Sequence, residues 1–430
     1  MACLFLLGGH VDLADARRAL DPCTLDDLAD IGLVQLGDEQ TRALFKLAPV
    51  SGLLLASDHL ESLDAPADVV LGVNPSARIT LDLTVRRPVD TALDVGTGSG
   101  IQALHAASHV GEVLASDVNE RALALARFNA ALNAIDNVRW RHGSWFEPAD
   151  DRRFDLVVSN PPFVISPEEA FLFRDGGVQG DAVARNVVDG AAQHLDEGGF
   201  AHVLCNWVVP PGADWQEPPL QWTEGSGCDV LVIRYDTRDV VAYAAQWNGL
   251  RRRQGGTAFE DALDLWLREY RRLGIERIDV GAVIMRRSPG PNWQAALDAV
   301  ALPSGPAGRQ VQRIFDGHDR LRSLTDDRGL LDDVYALVEG HRIRQCLTYR
   351  NGVYASHPAT VRMVEDLGIE AHIDPDALDV VFACDGQRPL RELVAEVAAA
   401  QDLDQGTLAN TAVDALRELL VSGLVSVVER

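Results

Sequence analysis

The sequence predicts an α/β fold, and three observations carry that reading. Strand-like and helix-like stretches alternate from about residue 81 to 290. A glycine-rich turn, "DVGTGSG", joins the first strand of that region to a helix. On either side lie stretches in which helices precede or surround short strands.

In chain order, residues 1–80 begin with short helical patterns such as "TLDDLADIGLV" and continue into two apolar runs, "TRALFKLAPV" and "SGLLLASD". Helices followed by a hairpin predict a small winged-helix-like module. Residues 81–290 then read as strand "TALDV", helix "SGIQALHAASHV", strand "EVLASD" and helix "NERALALARFNAALNA", with Asn119 as cap. Further strands are "NVRWRHG", "FDLVVS" and "GGFAHVLCNWVV", the last preceded by the helix "DAVARNVVDGAAQHL". "CDVLVIRYD" and "IDVGAVIMRR" flank the helix "FEDALDLWLREYRRLG" and complete seven strands. "NWVVPPGADWQEPPLQW" reads as an inserted loop, and residues 288–309 as a linker. From 305 to 430, "RPLRELVAEVAAAQ", "LANTAVDALRELLVSGL" and "VSVVER" give two helices, a glycine turn and a strand, a second winged-helix-like unit. Its helix "NTAVDALREL" is neutral to acidic, which favours packing or protein docking over DNA reading.

At 430 residues and 47% hydrophobic, the chain can bury sizeable cores. Its 64 acidic against 39 basic residues give a formal charge of −25, a field that repels nucleic acid unless basic side chains gather locally. Lys46 is the one lysine. The six cysteines lie far apart without C-x-x-C spacing, so neither a zinc site nor a disulfide framework is expected, and free thiols are. The N-terminal stretch has no basic region before its short apolar run, and no membrane-spanning length occurs; a cytoplasmic chain is expected.

The chemistry gathers at two places. Gly96, Gly98 and Gly100 let the backbone turn sharply and approach a ligand without a Cβ in the way, and Thr97 lies between them. Their G-x-G-x-G spacing is neither the dinucleotide pattern nor a P-loop. Asp117 ends the second strand, where a carboxylate can accept both hydroxyls of a ribose. Asp94, just before the glycines, suits a ligand that presents an amine there rather than a pyrophosphate. S-adenosylmethionine has that amine, a sulfonium and an unphosphorylated ribose. Each acid also has a plain structural role open to it: Asp94 as a turn or capping acid, Asp117 as the cap of the next helix.

"LDVGTGSG", "ASDVNERALALARFNAALN" and "FDLVVSNPPF" together resemble the successive motifs of class I S-adenosylmethionine-dependent methyltransferases, over roughly residues 73–290. That resemblance implies a Rossmann-like seven-stranded methyltransferase sheet flanked by the two modules. It implies S-adenosylmethionine as cofactor, with Val118 beside Asp117 and an adenine segment after the third strand. There "RHGSWFEP" places Ser144 where the family often has an acid, and Trp145 next to it to cover the ring. The N-P-P-F tetrapeptide is similar to that of the members that methylate nitrogen.

Asn160 precedes two prolines, Pro161 and Pro162. Alone, that merely stops a strand. Yet the residue before proline is biased to extended geometry and proline's φ is fixed, so Asn160 is held rigidly at the strand end. Neither proline has an N–H, so the loop offers acceptors, the Asn160 side-chain oxygen and the Pro161 carbonyl. Two acceptors match an –NH2 group with two protons. Phe163 can stack on a planar acceptor such as an amide or a base.

Downstream, "FRDGGVQGDAVARNVVDGAAQHLDEGGF" is similar to the corresponding segment of HemK-type release-factor glutamine methyltransferases. Those enzymes usually carry tyrosine after the prolines, whereas phenylalanine is more common in ribosomal-RNA guanine methyltransferases, and they lack a C-terminal module of this size. The whole chain looks more like the three-part methyltransferases of actinobacteria. The expected reaction is methyl transfer to a side-chain nitrogen of a protein; the alternative is an exocyclic amine of rRNA or tRNA. Neither a metal nor a membrane partner is expected.

Overall fold

The computed structural model describes residues 1–59, 67–168, 181–254 and 256–428. The chain divides into two compact units, one of residues 1–81 with 87–296, the other of 82–86 with 297–430.

The first unit is built on one sheet. Its strands are β1 (Val89–Val95), β2 (Val110–Asp117), β3 (Val138–His142), β4 (Phe154–Ser159), β5 (Leu195–Val208), β6 (Cys228–Asp239), β7 (Arg277–Arg287) and β8 (Gln294–Asp298). They lie in the order β8-β6-β7-β5-β4-β1-β2-β3. β1 pairs in parallel with β2 and β4, and so do β2 with β3 and β4 with β5. β7 runs antiparallel between β5 and β6. The order reverses between β1 and β4, which opens a crevice at their carboxyl ends, the usual ligand position in such sheets. All seven strands read from the sequence are present, and the sheet is Rossmann-like.

The sheet has eight strands, where seven were expected. β8 falls inside the stretch read as a linker, whose prolines and glycines frame a five-residue strand without alternating burial. It covers the outer edge of β6, beginning where Val230 N–H donates to Trp293 O (2.9 Å). Covering an open edge in this way satisfies backbone groups that would otherwise template foreign strands.

The Trp- and Pro-rich stretch is likewise more ordered than an inserted loop. It contains a helix, Glu217–Trp222. Trp207, fully buried on β5, donates its indole N–H to Trp215 O (2.9 Å), and the Arg234 guanidinium lies 4.3 Å from the Trp215 ring centre. Room for Trp207 comes from Gly281 on β7, where an added Cβ would stand 2.1 Å from Ile233 O and 2.6 Å from the Trp207 ring.

The N-terminal residues give helix Leu25–Asp30, capped by Thr24, a three-stranded sheet and the hairpin Lys46–Val50/Leu53–Ser57. Buried Asn129, on helix Glu120–Leu132, joins that hairpin to the glycine turn. Its side chain accepts from Ala56 N–H (2.7 Å) and donates to both Ala56 O (3.0 Å) and Ser99 O (2.8 Å).

The second unit contains helix Gly308–Ser323, the sheet Asp385–Pro389/Val334–Leu337/Val425–Val427 and the helices Leu390–Gln401 and Gln405–Val421. A second sheet of His341–Arg344, Ala359–Met363 and Glu370–Ile373 closes its core. All six cysteines are free; Cys205, Cys228 and Cys384 are buried, whereas Cys3, Cys23 and Cys346 are exposed. Among the described residues no helix is long and apolar enough to cross a membrane.

Gly281→Ala is expected to destabilise the first unit by about 3 kcal/mol, because backbone and a buried indole must both give way. Thermal unfolding checks this, and an unchanged midpoint would mean that the β5–β7 contact is softer than its geometry.

Candidate functional site

The crevice at the β1/β4 switch holds a cavity of about 360 Å³, within the range of small-molecule sites. Gly96, Thr97 and Gly98 form its floor, with Asp117 and Val118 at the end of β2, Ser144 and Trp145 after β3, and Asn160 to Phe163 after β4. Residues far apart in the sequence thus meet around one space.

Gly96 and Gly98 adopt φ of +72° and +56°, and a Cβ at either would enter open space rather than protein. Their left-handed geometry exposes bare backbone to the cavity. Gly100 lies outside the lining. At φ +89° it packs on helix Glu120–Leu132, where a Cβ would come 3.1 Å from that of Ala126.

Asp94 also lies beneath the turn rather than on the wall. Its Oδ2 accepts from Thr97 Oγ1 (2.6 Å) and from Ala103 N–H (3.0 Å), which fastens strand, turn and helix Ile101–Ala106 together. The structural role open to it is therefore filled. Its Oδ1 is buried without a hydrogen-bond partner. Burial pushes its carboxyl up to about 7, against the Thr97 and Ala103 bonds that favour the charge.

Asp117 accepts from Gly98 N–H (2.8 Å) and Asn119 N–H (2.8 Å), and burial raises its pKa against those bonds. Capping of the following helix is done by Asn119, which accepts from Arg121 and Ala122 N–H. Trp145 turns into the cavity region through a φ of +48°. Ser144 N–H donates to Glu147 Oε2 (3.1 Å).

Asn160 belongs to a directed chain of hydrogen bonds. Asn74 Oδ1 accepts from Ala77 N–H (2.8 Å), so that atom is the oxygen, and Ser76 Oγ must donate to it (2.7 Å). Ser76 Oγ then accepts from Asn160 Nδ2 (3.3 Å), which leaves Asn160 Oδ1 buried and without a partner. The segment after it is clamped as well. Tyr243 OH accepts from Ile165 N–H (3.2 Å) and Tyr270 OH donates to Ile165 O (2.6 Å). Tyr243 in turn accepts from Asn206 Nδ2 (2.6 Å).

Several lining residues carried no assigned contact in the sequence. Asn74, Ser76 and Ala77 open helix Pro75–Leu83; the Asn-Pro start was the available signal for a capped helix with proline at its first position. Val69 to Gly72 cross the cavity, tied by Asn119 Nδ2 to Asp68 O (2.8 Å) and by Val70 N–H to Asp58 (2.6 Å). Trp247 comes from helix Val240–Trp247, and no local pattern announces it. The glycines of "FRDGGVQG" lie outside the described residues.

Residues 73–210 match the family described as methyltransferase small domain. A ribosomal protein uL3 glutamine methyltransferase of Bradyrhizobium diazoefficiens is 37% identical over 161 residues, 34% of this chain and 50% of that protein. A release factor glutamine methyltransferase of Aliivibrio fischeri is 47% identical over 75 residues, 17% of this chain and 26% of the relative. Among solved structures, a methyltransferase from Pyrococcus furiosus aligns at 20% identity with a TM-score of 0.34, over 56% of this chain and 91% of its own. The chain therefore spans a quarter to a half of the two curated relatives' lengths. The matched segment contains every cavity-lining residue from Asn74 to Val164.

Asp94 has a measurable signature. Its folded pKa is about 7 against 3.8 ordinarily, so the folded state holds its proton more tightly and loses stability as pH rises between those values. Asp94→Asn keeps both accepted hydrogen bonds without the charge. The variant should match wild type near pH 4 and become more stable by roughly 2–4 kcal/mol above pH 7. Thermal unfolding across that range measures the gap, and a gap that stays constant with pH would contradict it.

Proposed function

We propose that the chain is an S-adenosylmethionine-dependent N-methyltransferase acting on a side-chain nitrogen of a protein, with a glutamine amide as the favoured acceptor. The observation that carries the nitrogen is Asn160 Oδ1, a buried acceptor held without a partner by the Asn74–Ser76 chain. The curated relatives' names supply the protein glutamine, and the chain's formal charge of −25 disfavours a nucleic-acid acceptor at this site.

The cavity fits the cofactor. Asp94 Oδ1 is an orphaned acid oxygen under the turn, Gly96 and Gly98 leave an open cradle, and Asp117 retains lone pairs beyond the two backbone bonds it accepts. Asp94 would face the amine end and Asp117 the ribose hydroxyls. Val118, Ser144 and Trp145 would border the adenine. When bound, S-adenosylmethionine supplies a methyl group made electrophilic by its sulfonium.

The chain's own residues do the rest. Asn160 Oδ1 and the Pro161 carbonyl accept the two N–H bonds of the acceptor nitrogen, which turns its lone pair towards the cofactor. Pro161 and Pro162 keep competing donors out of the loop, and Phe163 lies flat against the acceptor's plane. Orientation of this kind can lower the barrier by several kcal/mol. Both terminal modules read as winged-helix-like and would serve substrate docking, in the cytoplasm where translation proteins are made.

Asn160→Ala should abolish transfer and leave cofactor affinity within about threefold, since its role concerns the acceptor. Calorimetry and a turnover assay separate the two, and near-normal turnover would refute the acceptor clamp. The substrate class is tested by labelling a cell extract with methyl-labelled cofactor and digesting the product. Label released by protease but not by ribonuclease is expected; the reverse assigns the acceptor to RNA.

A further inference from the structure

The second unit carries a feature with no part in the cavity. Residues 341–363 form a long two-stranded ribbon, in which His341–Arg344 pairs with Ala359–Met363 and Leu347–Arg350 with Val353–Ser356. Asn351 and Gly352 close its tip at φ of 50° and 84°, the geometry of a tight type I′ hairpin turn.

The two halves of the ribbon differ. At the base, Ala359 and Val361 are fully buried, and Glu370–Ile373 adds a third strand. Among the described residues the outer half has neither a third strand nor a covered face. Leu347, Tyr349, Val353 and Tyr354 are 57%, 62%, 66% and 69% exposed. Tyr349 and Tyr354 sit directly opposite each other, so their rings share one face, with centres 5.0 Å apart. A two-stranded ribbon on its own is marginally stable in water, and this one exposes apolar surface as well.

Charge singles out the same segment. From Gly340 to Val364 there is no Asp or Glu, while Arg342, Arg344, Arg350 and Arg362 occur with His341 and His357, in a chain of formal charge −25. Arg342 lies directly opposite Arg362 at the base, a like-charge pair that destabilises a sheet. Glu370 answers Arg344 (3.4 Å) and Arg362 (3.9 Å). Among the described residues, Arg342 and Arg350 form no ion pair.

We propose that this ribbon binds a single-stranded nucleic acid, with the Tyr349–Tyr354 pair stacking on bases and Arg342 and Arg350 contacting phosphates. The chemistry favours that partner over the others. A membrane would take an apolar tip, whereas this tip is Arg350-Asn351-Gly352. An acidic protein would use the arginines but leave the paired rings without flat partners. A single strand uses both, since exposed bases stack on aromatic rings and the backbone is a regular polyanion. The binding does not depend on which nitrogen the cavity methylates.

The test is fluorescence anisotropy of the full chain with a labelled single strand of about 20 nucleotides, as RNA and as DNA, at about 50 and 200 mM salt. Saturable binding that weakens with salt is expected, and the two arms show which sugar is preferred. The double variant Tyr349→Ala/Tyr354→Ala should lower affinity at least about tenfold. Arg342→Ala/Arg350→Ala should weaken binding and flatten the salt dependence by about one unit of log–log slope. All four side chains are exposed, so unchanged thermal unfolding is the control for folding. Absence of binding to either strand, or affinity untouched by both variants, overturns the proposal. A protein that binds through the ribbon in the absence of any nucleic-acid binding overturns it too.

Discussion

The buried Asp94 carboxylate is the constraint on which the site depends. One oxygen ties Thr97 in the turn and Ala103 in the helix to the end of β1, which forces the glycines between them into left-handed geometry. A carboxylate so buried is costly, as its raised pKa records. A neutral side chain making the same two bonds would hold the turn at less cost. In Asp94 one oxygen makes both bonds and the other stays buried without a partner beneath the turn.

A second constraint acts across the cavity. Two prolines limit the backbone after β4, but proline alone does not fix where a loop points. Tyr243 and Tyr270 do that, by taking both backbone groups of Ile165 from helices more than 70 residues away. The Asn74–Ser76 pair performs the same task on the Asn160 side chain. Acceptor geometry is thus over-determined from two sides, the arrangement in which an unpartnered buried oxygen can persist.

The ribbon of the second unit shows the opposite economy. Its base is stabilised by a third strand and a buried core, while its outer half carries exposed rings and Arg350, which contribute little to folding. Charge is distributed accordingly. In a chain of formal charge −25, residues 340–364 contain no acid and four arginines. A local cationic surface in a repelling field confines polyanion binding to one place.

Much was legible in the sequence because it depends on short-range rules. Alternating apolar runs gave the seven strands, and Asn119 gave its helix cap. The glycine turn, Asp117 and the Asn-Pro-Pro-Phe loop were brought to one crevice by the parallel α/β pattern. The eighth strand was hidden because an edge strand of five residues has little periodicity of its own. Trp247 and the Tyr243–Tyr270 clamp were hidden because a residue's value there lies in what a distant helix places beside it. Asp94 and Gly100 show the limit most clearly. Both belong to the motif by spacing, but packing sets one beneath the turn and the other against a helix. Residue type and spacing by themselves determined that a glycine-built crevice exists and which loop faces it. Only the tertiary structure decided which atoms line it and which oxygens stay unpaired, because burial and hydrogen-bond partners arise from contacts that no local stretch contains.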